Sequence, residues 1–354
     1  MNKDKTIDGV EILRFISAFA ILVWHYQHFN YPLISEEIIV QQPYYNYLKI
    51  FYTFGYMGVN FFWCISGFIF FWKYGDVIKD IKFSKFFLSR FSRLYPLHFV
   101  TLILVLLLQK IYFSTNGNYF ITQNNDLYHF CLQLFMGSNW GFENGVSYNG
   151  VIWSISIEIL VYGIFFFILS LINKNILLNI TIIIFCLILK VNYEHTVHGI
   201  VDCALFFFLG GCLCFFLDHK KQLKLTLKIL FSILILCFLS FDYFLIYKIN
   251  NYAYIIQLIL YPILIFIFCE IYISNRLISN FLRIIGNLTY SSYLLHFPIQ
   301  ILINIYYLKL DREIPFYNNN FFLFYIFIVL TLSYLVFKYF ENPSKKIIRN
   351  YFNS

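Results

Sequence analysis

Along the chain, long charge-free apolar windows alternate with short polar breaks that carry the charges. A helix needs roughly 20 apolar residues to cross a bilayer core. Windows of that kind fall near residues 11–29, 57–73, 94–113, 151–172, 176–193, 199–217, 228–247, 252–273, 284–308 and 320–340. The pattern predicts an all-α, polytopic membrane helix bundle of about ten transmembrane helices. The fifth window is short and ends at Lys190, a side chain long enough to carry its charge to the interface. The stretch 127–137 is apolar but too short to span, and reads as an interfacial or re-entrant piece of a long outer loop. No internal repeat and no Pro- or Gly/Ser-rich linker is visible, so a single domain is expected over 1–345, with 346–354 as a short tail.

Composition agrees with the pattern. Of 354 residues, 60% are hydrophobic, 23% aromatic and 12% charged, and mean hydropathy is +0.70. Soluble domains carry about 45–50% apolar and about 25% charged residues, and no soluble core of this length would bury the excess. The eight cysteines fall mostly in apolar runs, with no CxxC pair, so neither a disulfide framework nor a zinc site is expected. Asp8, Glu11 and Arg14 interrupt the pattern of a cleavable signal.

The formal charge of +8 matters through its distribution. An even number of spans puts both termini on one side. With that side cytoplasmic, 19 of the 26 basic residues lie inside, and the 114–150 segment has no Lys or Arg at all. Cytoplasmic termini are therefore expected. Positive charge placed in this way faces the membrane, and no nucleic-acid partner is expected.

Ionisable groups within spans are costly, about 2.5–3.5 kcal/mol each at the bilayer centre, so each is a candidate for function. The first span carries Arg14 and His25. Eleven residues apart, they are separated by roughly 1100° of rotation and share one face, about 16 Å apart along the axis. Taken singly, Arg14 also fits a cytoplasmic anchor and His25 an interfacial histidine. Arg90 and Arg93, in Arg-Phe-Ser-Arg-Leu-Tyr-Pro, face one side at the start of the third span. Guanidinium pairs suit phosphates, and the same spacing fits a headgroup anchor. In Trp153-Ser-Ile-Ser-Ile-Glu158, Glu158 shares a face with Ser154, while Ser156 points elsewhere. A carboxylate at that depth either orients a histidine or makes a structural interhelical bond. The ninth window, Gly286 to Pro298, is too polar to face lipid and belongs inside the bundle, with Ser292 and Tyr293 on the face of His296 and a kink expected at Pro298. For His296, a structural role fits as well as a catalytic one. No His/Asp/Glu spacing suggests a metal.

The order of these motifs carries more than any one of them. Arg14 and His25 are followed by Gly58-Val-Asn-Phe-Phe-Trp-Cys-Ile-Ser-Gly67, Arg90-x-x-Arg93-Leu-Tyr-Pro, Trp153-Ser-x-Ser-x-Glu158, Tyr290-Ser-x-Tyr-Leu-x-His296-x-Pro and Glu341-Asn-Pro343. The chain resembles the acyltransferase 3 family of polytopic membrane O-acyltransferases from residue 8 to about 345. It departs from the family pattern at Asn60, where many members carry Asp, and at Asn342, where Arg is common. The resemblance implies ten helices, cytoplasmic termini and a place in the bacterial plasma (inner) membrane. It also implies His25 as the essential histidine with Arg14 as companion, Glu158 in the catalytic set, and Arg90 and Arg93 with Arg14 on the donor. Ser154, Ser156, Tyr293 and His296 are left as substrate-binding or structural. No cofactor is expected to be tightly bound. Acetyl-CoA or another acyl-CoA is the expected donor substrate, a cell-surface glycan or lipid-linked saccharide the acceptor, and membrane lipid the surroundings. No SGNH hydrolase-like domain is expected, so the membrane domain alone would handle the acceptor. The competing reading is a transporter or flippase for a glycan or lipid intermediate, which predicts inverted repeats or paired broken helices.

Overall fold

The computed structural model describes residues 7–33, 35–192, 198–219, 253–271 and 273–353. These residues form helices and connecting turns, with no strand among them. In chain order the helices are α1 (Asp8–His25), α2 (Glu36–Ile39), α3 (Tyr45–Phe54), α4 (Gly58–Tyr74), α5 (Phe83–Asn116), α6 (Leu127–Leu134), α7 (Ile152–Leu171), α8 (Ile176–Asn192), α9 (His198–His219), α10 (Ala253–Phe268), α11 (Arg276–Lys309), α12 (Asn319–Val336) and α13 (Asn342–Asn353). A π turn, Phe337–Glu341, joins the last two. Among the described residues, five stretches are long and apolar enough to cross a membrane: Asp8–Asn30, Tyr45–Tyr74, Phe83–Asn116, Ile152–Leu171 and Asn319–Phe352. Shorter apolar helices run over Ile176–Asn192, Gly199–Phe215 and Ala253–Phe268. The span expected at 228–247 lies outside the described residues.

Several helices outrun their apolar windows. α5 begins at Phe83 rather than near 94, and α11 at Arg276 rather than near 284. Hydropathy reports what side chains prefer to touch, whereas i→i−4 hydrogen bonding continues through any run free of breakers. Arg90 and Arg93 consequently sit within α5 rather than before it. The short apolar stretch at 127–137 contains α6, whose first turn is capped by Asp126 accepting from the His129 amide at 2.9 Å.

The chain divides into two compact units, one of residues 1–14, 60–79 and 164–283, the other of 15–59, 80–163 and 284–354. In the first, glycines set the spacing of α4 and α9. A methyl placed on Gly67 would lie 1.8 Å from the Phe207 carbonyl oxygen, and one on Gly210 1.9 Å from that of Cys64. Small residues let helix backbones approach in this way inside a membrane, where no hydrophobic drive separates helix from lipid. Lys190 is held within the same unit. Its ammonium donates to Asp202 at 2.6 Å and lies 3.4 Å from the centroid of the Tyr254 ring, while the Tyr254 hydroxyl donates to the same carboxylate oxygen at 2.6 Å. Asn60 donates to Gln257 Oε1 at 2.7 Å, a neutral bond between two amides.

The second unit has an aromatic core. Tyr26, Phe29, Tyr52, Phe321, Phe322 and Tyr325 pack together between α1, α3 and α12. The long loop after α5 folds back upon α5. Gln109 exchanges hydrogen bonds with the Phe120 backbone at 2.8 and 2.9 Å, His98 Nε2 donates to the Gln133 carbonyl at 2.7 Å, and Gln133 donates to the Ser147 carbonyl at 2.9 Å. In this loop the His129 amide and ring nitrogen at Asp126 hold its carboxyl below the usual carboxylate range.

Gly67→Ala and Gly210→Ala should each cost about 1–3 kcal/mol through overpacking against backbone. Gly163→Ala, where a methyl meets nothing within 4 Å, should cost nothing measurable. Thermal unfolding of the three variants in detergent checks the contrast, and equal melting temperatures would refute it.

Candidate functional site

The second unit is organised about a helix too polar for lipid. Every residue of α11 from Leu288 to Ile301 is buried, including Thr289, Ser291, Ser292, His296 and Gln300. A helix enclosed all round has no outward face on which to put its polar groups, so each must find a partner within the protein. Pro298 lacks the amide that would bond the carbonyl of Leu294. Asn149, in the loop just before α7, supplies the missing donor at 3.2 Å, and α11 runs through the proline to Lys309.

Two residues beyond that proline, α11 meets the end of α1. Gln300 donates to the carbonyl of His25 at 2.7 Å, satisfying an acceptor left open where the α-helix gives way to a 3₁₀ turn. His25 Nδ1 lies 3.0 Å from the Ile21 carbonyl. A carbonyl only accepts, so Nδ1 carries the proton and Nε2 keeps its lone pair. The His25 ring is 4.7 Å from that of His296 and 4.8 Å from that of His28, centroid to centroid, with Trp24 edge-on at 4.8 Å. His296 repeats the arrangement, with Nδ1 3.3 Å from the Ser292 carbonyl and a buried Nε2 that has no hydrogen-bond partner among the described residues.

From His296 the contacts lead to α7. The Tyr293 ring lies 6.0 Å from His296, and its hydroxyl shares a 2.7 Å hydrogen bond with Ser154. Glu158, one turn beyond Ser154, lies within electrostatic reach of Tyr293 and Tyr290. Ser156 points away, as its spacing predicts: its hydroxyl is buried without a partner among the described residues, and its carbonyl accepts from Trp140 Nε1 at 3.0 Å. The structure thus brings His25, His296, Tyr293, Ser154 and Glu158 into one sequence of neighbours and leaves Ser156 outside it.

Arg90 and Arg93 are reached along the same helix. Tyr290 stands six residues before His296, about 9 Å along the axis. Its hydroxyl donates to the Leu94 carbonyl, and it lies within electrostatic reach of Arg93, Glu341 and Glu158. Ser291 donates to Glu341 Oε2 at 2.5 Å. Arg90 Nε donates to Ser89 Oγ at 3.1 Å. Arg14 belongs to the other unit, whose boundary crosses α1 between Arg14 and Phe15; its Nη1 donates to Glu11 Oε2 at 2.7 Å.

Sequence reasoning passed over Gln300 and Asn149, gave Glu341 only within its Glu-Asn-Pro motif, and gave no role to His28 at the end of the first span. His28 follows His25 at the i, i+3 spacing of one helix face, and Gln300 follows His296 at i+4, so both signals were present. Glu341 stands in Glu-Asn-Pro, and a buried glutamate on a π turn is a recurrent mark of a working site. Asn149 lies in a loop that no periodicity reads. No group of three or more metal-ligating side chains occurs among the described residues.

The sequence model of a family described as an acyltransferase domain matches residues 7–338, nearly the whole chain and parts of both units. No curated protein and no solved structure matches.

Asn149→Ala should leave the Leu294 carbonyl buried and unpaired, at about 1–3 kcal/mol. Asn116→Ala, which removes an exposed 3.3 Å contact with Tyr112, should change nothing measurable. Melting temperatures in detergent test the pair; an unaltered Asn149→Ala protein would remove the proposed compensation for Pro298.

Proposed function

The chain belongs to the acyltransferase 3 family, and from that premise we propose that it is a membrane-embedded O-acyltransferase, most simply an O-acetyltransferase, that moves an acyl group from cytoplasmic acyl-CoA to a hydroxyl of a cell-surface or lipid-linked glycan. The proposed setting is a multi-pass protein of the bacterial plasma membrane with about ten spans and both termini cytoplasmic. The observation that carries the reading is His25, whose Nδ1–H is committed to the Ile21 carbonyl so that Nε2 is left as a base or nucleophile.

In the general-base route, Nε2 takes the proton of the acceptor hydroxyl as its oxygen attacks the thioester carbonyl. The carbon–sulfur bond breaks, and the CoA thiolate recovers the proton from the imidazolium. In the relay route Nε2 itself attacks the thioester carbonyl and the carbon–sulfur bond breaks to give acyl-imidazolium and CoA thiolate; the acceptor oxygen then takes the acyl group as the N–acyl bond breaks, the neutral imidazole is restored, and the hydroxyl proton goes to the thiolate. Both routes need the same tautomer. Arg90 and Arg93 are proposed to hold donor phosphates. The axial step of about 9 Å from Tyr290 to His296 lies within the span of an extended pantetheine arm. Glu158 is proposed to stabilise imidazolium through Tyr293 and His296, and Ser154 to hold the Tyr293 hydroxyl.

Inside-out vesicles supplied with labelled acetyl-CoA and a crude envelope glycan extract should label glycan with the wild-type chain. His25→Ala should reduce that labelling by about 100-fold or more. Equal labelling by the variant would remove His25 from the chemistry and transfer the role to His296.

A further inference from the structure

α13 follows the last apolar span and carries Lys345, Lys346 and Arg349. Lys345 and Arg349 are four residues apart and so share one helix face. Arg349 fixes that face against α5: its Nε donates to Ser92 Oγ at 3.2 Å and its Nη2 to the Ser89 carbonyl at 3.1 Å. Those serines immediately precede Arg93 and Arg90 in the sequence Ser89-Arg90-Phe91-Ser92-Arg93. Lys345 is half-buried and lies within electrostatic reach of Arg90, Arg93 and Arg349, with Glu341 as the carboxylate beside it. Oε2 of Glu341 accepts from Ser291. Glu158 approaches the group from α7 through Tyr290.

Four cations from two helices are thus gathered at one end of the bundle, with Glu341 beside Lys345 and Glu158 approaching through Tyr290. Like charges brought together repel, more strongly as water is removed. Such a group is stable when an anion of more than one charge sits among its members, and guanidinium and ammonium donors on opposing helices match phosphate oxygens. Lys346, next in sequence, is exposed and takes no part in the group.

We infer that Lys345 and Arg349 of α13 join Arg90 and Arg93 of α5 in one four-cation site for a polyphosphate, and that the nucleotide phosphates of the acyl-CoA donor are its occupant. The identity of the occupant rests on the function proposed above; the site itself rests on the packing of α13 against α5. The C-terminal helix is then part of the donor site, and its loss weakens donor binding without touching the histidines.

The test uses the full chain in phosphatidylcholine nanodiscs and titrates CoA, inorganic pyrophosphate and phosphate-free pantetheine by calorimetry. Lys345→Gln and Arg349→Gln should each weaken CoA binding about tenfold or more, with the double variant weaker still. Lys346→Gln should stay within twofold, and Lys345→Arg should restore CoA affinity to near wild type, separating lost charge from lost fold. CoA binding untouched in the double variant would overturn the α13 assignment while leaving a CoA-dependent enzyme. Wild-type binding of pyrophosphate but not CoA, lost in the double variant, would uphold the polyphosphate site and overturn the donor reading. If neither ligand binds the wild type, both fall. Repeating the titration in discs containing phosphatidylglycerol separates the two phosphate sources: loss of CoA binding there would assign the site to lipid headgroups instead.

Discussion

A helix with serines, a threonine, a glutamine and a histidine on all its faces has no stable place beside lipid, and the arrangement of the second unit follows from enclosing it. α11 has to be surrounded, and, His296 Nε2 and Gln300 Oε1 apart, its polar groups find matches in the helices and loop around it. Ser154, Asn149, Glu341 and the carbonyls of Leu94 and His25 are those matches. The histidine cluster arises at the place where this enclosure meets the end of α1. Its chemistry is a product of the same demand: a ring nitrogen bonded to a carbonyl fixes which nitrogen remains basic.

The two halves of the candidate site are joined by α11 itself. Tyr290 and Ser291 touch the side that carries Arg93 and Glu341, and His296 touches the side that carries His25. A rigid helix keeps the separation between the Arg93 side and the His25 side constant, which suits the proposed donor, whose reactive thioester lies at the end of a long arm from its charged head. The family match over 7–338 gives this arrangement its general activity.

Much of this was legible in the sequence, for a stated physical reason. Membrane helices advertise themselves through hydropathy, and ionisable residues within them are rare enough that Arg14, His25, Glu158 and His296 stand out one by one. The unusual polarity of the ninth window correctly placed it in the interior. Helix ends were less legible, because hydrogen bonding runs past the last apolar residue, and so α5 gathered Arg90 and Arg93 into its body. Long-range pairings were not legible at all. Nothing in the sequence around Asn149 tells of a carbonyl 145 residues away, and nothing around Arg349 tells of Ser92, 257 residues before it. Such contacts depend on which helices become neighbours, information that a one-dimensional pattern does not hold.

The Asn149–Leu294 bond has an evolutionary meaning. Pro298 is tolerated in the middle of a buried helix because a side chain far away in the chain provides the donor that the ring lacks. The two positions are therefore inherited as one. In a lineage where an ordinary residue replaces the proline, the helix supplies its own donor, and selection on the asparagine relaxes. Where the proline is kept, the loop position is confined to side chains of the same reach and donor chemistry. Across the descendants of this chain the two columns should change together or not at all, though no contact between the two side chains themselves links them.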